Sequence, residues 1–541
     1  MRSSLSRVAT TIVVGLLFTA CATTPSASVS LPTASATPSI VVSPASATPS
    51  IVVSPAPSAT PSASTVLTPK PTPPPAANGW PYSISDSGWV FGPDGTIYVL
   101  APDAQGAYWG TLVALDAAGH VKPGWPVEAR RGSAFGSPAV GPDGSLYIEE
   151  RGGPGVGNVV HRIGATGQEL PGWPFTLPAD YACPLGAPYD TDDPRTAAAD
   201  DPCYPPGLEI APNGTAYLID QRPAGALLAI GPSGKVMPGW PIGLDDQDWQ
   251  YQQVGSDGTV FLVRRPIGTP IWDELRGLVD SDAELWAFGP DGKLRSGWPV
   301  PVPNIRGFLL GPQGTSIVWS LIDDRGELCP GPRRTLFTVL GLDGRTLPGW
   351  PRGSTGYASF PVVGADGTVY YVSATGKVYA HDRAGEVKAG WPVAVPGAGG
   401  GCGPESPYLA PDGTIYVMGD EVVALTPDGR SHPGWPYRPA GQLIGPCLDS
   451  ECYGGHGAPS FGPDGTVYLV VFHTDPTGTR AEVVALDRQG QLKPGWPYRV
   501  PFDAKTVSVG VDVAPDGRVV VRGGYSPLVL LALDPDGTLS E

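Results

Sequence analysis

Val113-Ala114-Leu115-Asp116-Ala117-Ala118-Gly119-His120-Val121-Lys122-Pro123-Gly124-Trp125-Pro126-Val127 is the stretch whose reading decides the fold. An apolar run enters a tight Asp/Gly turn, and a second short run carries a tryptophan. The Gly-Trp-Pro part recurs with its tryptophan at Trp80, Trp125, Trp173, Trp240, Trp298, Trp350, Trp391, Trp435 and Trp496. A spacing of roughly 40 to 70 residues marks a repeat architecture.

Each unit from Gly79 onward has two further landmarks. One is a Pro-Asp-Gly-type turn, at Asp94, Asp143, Asn213, Asp257, Gln313, Asp366, Asp412, Asp464 and Asp516. The other is a β-rich run such as Thr96-Ile97-Tyr98-Val99. Alternating apolar residues bounded by Asp-Gly turns read as hairpins, so each unit supplies four short strands, a to d. The Pro-Asp-Gly turn joins a to b, and the second Asp/Gly turn joins c to d. The interval from Asp116 to Trp125 is about nine residues, and the same interval separates Asp487 from Trp496. It survives where the aspartate is replaced, as at Gly231 or Thr426.

Length varies only in the b–c and d–a links. In a meandering blade those links emerge on one face and the a–b and c–d turns on the other. One face is therefore uniform and the opposite face takes every insertion, which is where function usually sits on a rigid scaffold. The third unit's d–a link runs from about Leu177 to Gly207, and the fourth unit's b–c link from about Arg265 to Ala283. The eighth unit's d–a link runs from about Ala440 to Pro459.

These observations predict an all-β chain whose residues 78–541 form one β-propeller of about nine four-stranded blades, with eight as the alternative. The last unit stops at Glu541, just before a tryptophan is due, and an orphan Asn78-Gly79-Trp80-Pro81 precedes the first. The strand near Trp80 is expected to complete the final blade and close the ring, which removes exposed sheet edges.

The segment before the repeats reads differently. Arg2 and Arg7 precede the apolar run Ile12 to Phe18, which is too short to span a bilayer and ends Leu17-Phe18-Thr19-Ala20-Cys21. That ending resembles the bacterial lipobox, with Phe18 in place of the usual Leu. The resemblance implies a signal peptide over residues 1–21 and acylation of Cys21, with a secreted protein as the alternative. Residues 22–77 are almost wholly Ala, Pro, Ser, Thr and Val, with Ser-Ala-Thr-Pro-Ser-Ile-Val-Val-Ser-Pro-Ala occurring twice. So little apolar surface cannot offset the entropy of ordering, and a disordered tether is expected. The expected location is the extracytoplasmic face of a bacterial membrane, reached only through the lipid anchor.

A formal charge of −17 with no basic stripe argues against nucleic acid as a partner. Apart from Cys21, six cysteines remain: Cys183, Cys203, Cys329, Cys402, Cys447 and Cys452. All fall in links of the inserted face, where disulfides would staple long loops. Cys183 with Cys203 is favoured by proximity; the other pairings stay open.

The pattern Ala114-Leu115-Asp116-x-x-Gly-x-x-x-Pro-Gly-Trp125 resembles the PQQ-like β-propeller repeat, which includes quinoprotein dehydrogenases and the lipoprotein subunit of the outer-membrane barrel-assembly machine. The resemblance implies that each repeat tryptophan docks between adjacent blades. Here Pro-Gly precedes the Trp and Pro follows it, a variant of the motif. Quinoprotein enzymes of similar repeat carry an adjacent cysteine pair above the quinone and a carboxylate-rich calcium site. No Cys-Cys dipeptide exists here, so PQQ is not expected and no cofactor is predicted.

Asp190, Asp192 and Asp193, and likewise Asp246 and Asp248, offer oxygen ligands of the kind Ca²⁺ takes. They match no known calcium loop, and solvated loop charge is the simpler reading. Tyr108, Trp109 and Trp272 lie in b–c links, where exposed aromatics suit a sugar or peptide surface. His456 and His473 lie in or beside links of the same face, and His161 and His381 read as packing variants of strand c. The expectation is a monomeric binding scaffold that presents its inserted face to a protein or glycan. The alternative is an enzyme using the central funnel, either a metal-dependent hydrolase or lactonase or a sugar dehydrogenase.

Overall fold

The computed structural model divides into Met1–Ala63 and Ser64–Glu541. It describes residues 79–540 except 85–88, 102–109, 132, 153–156, 179–207, 220–224, 246, 267–281, 323–333, 355, 400–403, 444–457, 476–477, 502–507 and 525–527. Of 248, 250, 251, 475, 508 and 524 only the backbone is described.

These residues form nine antiparallel sheets in chain order, the blades of a β-propeller. Blade 1 consists of Trp89–Phe91, Ile97–Ala101, Thr111–Leu115 and Val127–Glu128. The b strands of blades 2 to 8 are Leu146–Gly152, Ala216–Ile219, Val260–Arg265, Ser316–Ile322, Val369–Val372, Ile415–Met418 and Val467–Asp475. Blade 9 combines Ser508–Val513, Val519–Gly524 and Leu528–Leu533 with Tyr82–Ile84 from the start of the domain. Tyr82 faces Leu530 and Ile84 faces Leu528, so the N-terminal strand closes the ring. Two blades depart from the plan. Blade 2 splits its strand a into Ser133–Phe135 and Ala139–Val140, and in blade 7 strand d is reduced to a bridge between Val422 and Tyr437.

Strands b and c are sandwiched between neighbouring blades, so both their faces are apolar. In blade 1, Ile97–Ala101 and Thr111–Leu115 are buried along their whole length. The core is accordingly layered between blades. Leu100 and Leu112 of blade 1 meet Leu146 and Ile148 of blade 2, and Tyr217 and Leu227 of blade 3 meet Val260 and Leu262 of blade 4. Outermost strands such as Val127–Glu128 and Ile242–Gly243 have two residues. Edges this short are poor templates for pairing with another chain.

The Gly-Trp-Pro motif locks each layer. The Trp125 indole N–H donates to the Ala165 carbonyl in the c–d turn of the next blade at 3.1 Å. The bond recurs around the ring, through Trp298 to Leu342 at 3.0 Å and Trp496 to Pro535 at 3.2 Å. Across the closure, Trp80 donates to the Ala117 carbonyl of blade 1 at 2.9 Å. Each indole also leans on an aromatic of its own strand b in most blades, as Tyr147 on Trp173 with ring centroids 5.6 Å apart. All nine Trp–Pro peptide bonds are cis.

The glycines explain the Pro-Gly variation of the motif. Gly124 precedes Trp125, and Gly167 belongs to the c–d turn of blade 2. A Cβ on Gly167 would run into the Gly124 carbonyl oxygen, and a Cβ on Gly124 would run into that of Thr166. Gly167 also has a φ of 72°, where an L side chain is disfavoured. The two backbones touch because neither residue has a side chain.

Gly167→Ala is therefore expected to cost at least about 1–2 kcal/mol from the left-handed conformation alone, with the clash in addition. Gly243→Ala is the control, since a Cβ there meets nothing within 4 Å. It should change stability by no more than about 0.5 kcal/mol. Urea denaturation of the two variants checks both values.

Candidate binding face

The a–b and c–d turns share one face, and side chains tie them together. Asp94 of the first a–b turn accepts a hydrogen bond from Lys122 Nζ beyond the c–d turn at 3.1 Å, and Lys122 also reaches Thr96 Oγ1 at 2.6 Å. Asp464 with Lys493 repeats the pair at 2.9 Å and Asp366 with Lys388 at 3.2 Å, Arg295 does the same for Asp257, and in blade 2 Arg162 reaches Asp143 from strand c. Partial burial pushes the Asp94 and Asp464 carboxyls up. Hydrogen bonds from the following threonine and the lysine outweigh it and bring both to about 2. This face repeats one structural device in five of the nine blades.

The opposite face is where strands b end and strands a begin, and there the described residues differ between blades. Blade 4 gathers Asp245, Trp249, Arg264, Glu284 and Trp286. Asp245 accepts from Arg264 Nε at 2.9 Å and from the Trp249 indole at 3.0 Å. Arg264 NH1 reaches Glu284 Oε2 at 3.2 Å, and the Trp286 indole donates to the same oxygen at 3.1 Å. Charge and hydrogen bonding hold the Asp245 carboxyl below its ordinary value despite some burial. Blade 8 extends its b–c hairpin into Val467–Asp475 and Gly478–Leu486, where His473 Nε2 lies 3.1 Å from Glu482 Oε2.

At the seam of blades 5 and 6, Phe360 stands just before strand a and is 61% exposed. Its ring meets that of Trp319 edge-on at 5.8 Å. The Trp319 indole nitrogen is buried with no hydrogen-bond partner among the described residues. At the ring closure, the Arg522 guanidinium of blade 9 lies 5.1 Å from the centre of the Trp89 ring of blade 1. Burial pushes the nearby Asp512 carboxyl up, with Arg522 pulling the other way. Glu209, on strand a of blade 3, is also raised by burial.

Blade 2 holds the most enclosed charges. Glu150 is fully buried, and its Oε1 accepts from the Arg130 backbone N–H at 2.8 Å and from Arg130 Nε at 2.9 Å. Its Oε2 is 2.9 Å from His161 Nε2, and His161 Nδ1 is 2.5 Å from Glu169 Oε1. The Phe135 ring meets the imidazole edge-on.

All nine repeat tryptophans are buried at blade seams, each with its indole N–H on a neighbouring blade's turn; none lines the inserted face. Cys21, Cys183, Cys203, Cys329, Cys402, Cys447 and Cys452 lie outside the described residues, as do Tyr108, Trp109, Trp272, His456, Asp190, Asp192, Asp193 and Asp246. Asp248 begins strand a of blade 4, and only its backbone is described. Trp319 lies within strand b of blade 5. Glu482 stands beside His473, and Glu150 and Glu169 stand on either side of His161. In-register comparison of the repeats would have found the second set. Glu150, His161 and Glu169 occupy the strand positions of Ala101, Val113 and Val121 in blade 1. Among the described residues, no three His, Cys, Asp or Glu side chains converge as a metal-ligand set.

No family model matches the chain, and no curated protein does. Several solved structures are similar in shape. A BamB from Moraxella catarrhalis is 13% identical with a TM-score of 0.37, over 62% of this chain and 86% of that one. A streptogramin B lyase is 12% identical with a TM-score of 0.32, over 61% of this chain and 93% of that one. The Dos1 propeller is 8% identical with a TM-score of 0.40, over 85% of this chain and 96% of that one.

Proposed function

We propose that this protein is an exported, lipid-anchored scaffold whose β-propeller binds a protein or glycan through the face that carries the long links. The observation that carries this reading is the asymmetry between the two faces. One repeats an Asp–Lys or Asp–Arg tie in five of the nine blades. The other, among the described residues, offers paired charges beside aromatic rings, with the exposed Phe360 among them. Mixed charge and aromatic groups on a rigid support suit recognition, because little ordering entropy is lost when they engage. In this reading the tether of residues 22–77 gives the propeller reach from the membrane, and the acylated Cys21 holds it there.

A photo-reactive benzoylphenylalanine at position 360, tested in cells that export the protein, is expected to give discrete higher-mass adducts. The same probe at position 492 on the uniform face should give none. Adducts at 492 alone would place the partner on the wrong face for this proposal. For the anchor, Cys21→Ala is expected to abolish incorporation of labelled palmitate and to move the protein from the membrane to the soluble fraction. Retention of both label and membrane association in the variant would refute acylation at Cys21.

A further inference from the structure

The seam between blades 1 and 2 has a chemistry of its own. At the strand position of His161, blades 1, 3, 7, 8 and 9 carry Val113, Leu228, Val423, Val484 and Leu531, and blades 4, 5 and 6 carry Trp286, Thr338 and Tyr379. At the turn position of Glu169 stand Val121, Val236 and Leu294. Blade 5 is polar but uncharged at both, with Thr338 and Thr346; among the described residues only blade 2 places ionisable groups at both positions, and it adds Glu150. The three side chains then line up across the interior of the seam, with Arg130 at the inserted face and Glu169 beside the uniform face. His161 is 1% exposed and Glu150 fully buried. A neutral imidazole has one N–H, so it can donate to only one of the two carboxylates. Both bonds are made together only by the imidazolium. With it, Arg130 and His161 balance Glu150 and Glu169, and the buried charges sum to zero.

We propose that this seam is a pH-sensitive latch: protonated His161 clamps strand b to the c–d turn of blade 2, and loss of that proton releases the clamp. The release reaches the inserted face because Glu150 also fixes the Arg130 backbone and guanidinium, where the chain crosses from blade 1 into blade 2. The groups facing His161 are Glu150 from strand b, Glu169 from the c–d turn and Phe135 from strand a. Blade 1 contributes Leu100, Leu112 and Val127 to the hydrophobic cluster of this layer.

The titration directions agree with the geometry. Burial pulls the His161 imidazole down, but the hydrogen bonds and charges of Glu150 and Glu169 outweigh it and raise it above 6.5. A raised basic group contributes stability that is complete below its unfolded value and is lost as pH climbs through its folded one. For Glu150, burial pushes up, while His161 and Arg130 more than compensate and hold it below 4.5. Its contribution is present above that value and is lost as pH falls through the lowered one. The latch is therefore closed between these limits and opens on the alkaline side at a pH above 6.5.

Hydrogen exchange of the full-length protein, corrected for the intrinsic chemical rate at each pH, tests this directly. Protection of Val159–Ile163 is expected to fall about tenfold or more from pH 6 to pH 9, relative to Ile415–Met418 in blade 7 as internal reference. The combined variant Glu150→Ala, His161→Val, Glu169→Val restores the blade 1 set, and apolar replacement of a buried ionic cluster is often neutral or stabilising. It should remove the pH dependence. Glu169→Gln, which keeps shape and deletes one charge, should move the alkaline transition down by about one pH unit. Equal pH dependence of the two segments in the wild type would overturn the proposal. So would a transition that stays in place in Glu169→Gln, or one that persists in the apolar variant.

Discussion

Everything in this propeller depends on how closely one blade can approach the next. The approach is set where Gly124 and Gly167 press backbone on backbone and the Trp125 indole reaches into the neighbouring turn. A side chain at either glycine would hold the blades apart, and the indole would then lose its carbonyl. The layered core follows from this contact. Leu100 and Leu112 are covered by Leu146 and Ile148 only because the turns have come together beside them. A blade has no core of its own, as expected of repeat architectures in which each unit is completed by its neighbours.

The same contact makes the division of labour between the faces intelligible. Turns that must meet the neighbour at van der Waals distance cannot change length, whereas links on the far side are not held by this backbone contact and are free to grow. The carboxylate ties of the uniform face sit on the constrained side, and the charged and aromatic groups of blades 4, 5, 6, 8 and 9 sit on the other. Burying charge costs free energy unless each group is paired and hydrogen-bonded. The Glu150–His161–Glu169 line meets that condition along almost its whole length, leaving only Glu169 Oε2 without a partner among the described residues.

Most of the fold was legible in the sequence because repetition averages out local ambiguity. One Asp-x-x-Gly-x-x-x-Pro-Gly-Trp stretch is weak, but its copies set the blade count, the strand order and the closing role of the segment after Trp80. The reasons for the motif's own letters were not legible. Gly124 reads as a turn residue, yet its reason for being glycine is Thr166, forty-odd residues away in the next blade. The candidate site was harder still. His161 looks like a stray polar residue in an apolar strand. Its partners lie on a different strand and a different turn, and only register joins them. Phe360 carries no signal at all, since exposure of a single aromatic beside a short strand depends on tertiary packing.

The closing strand has a consequence for how the molecule is made. Tyr82–Ile84 pairs with Leu528–Leu530, so the first strand of the propeller to leave the ribosome is the last to find its neighbours. Until the final repeat is synthesised, Trp80 has the Ala117 turn of blade 1 to rest on, but no strand beside it. The ring is consequently an assembly whose completion is reported at a single joint. A chain truncated anywhere in its last blade would leave that joint open, however well the preceding blades had packed.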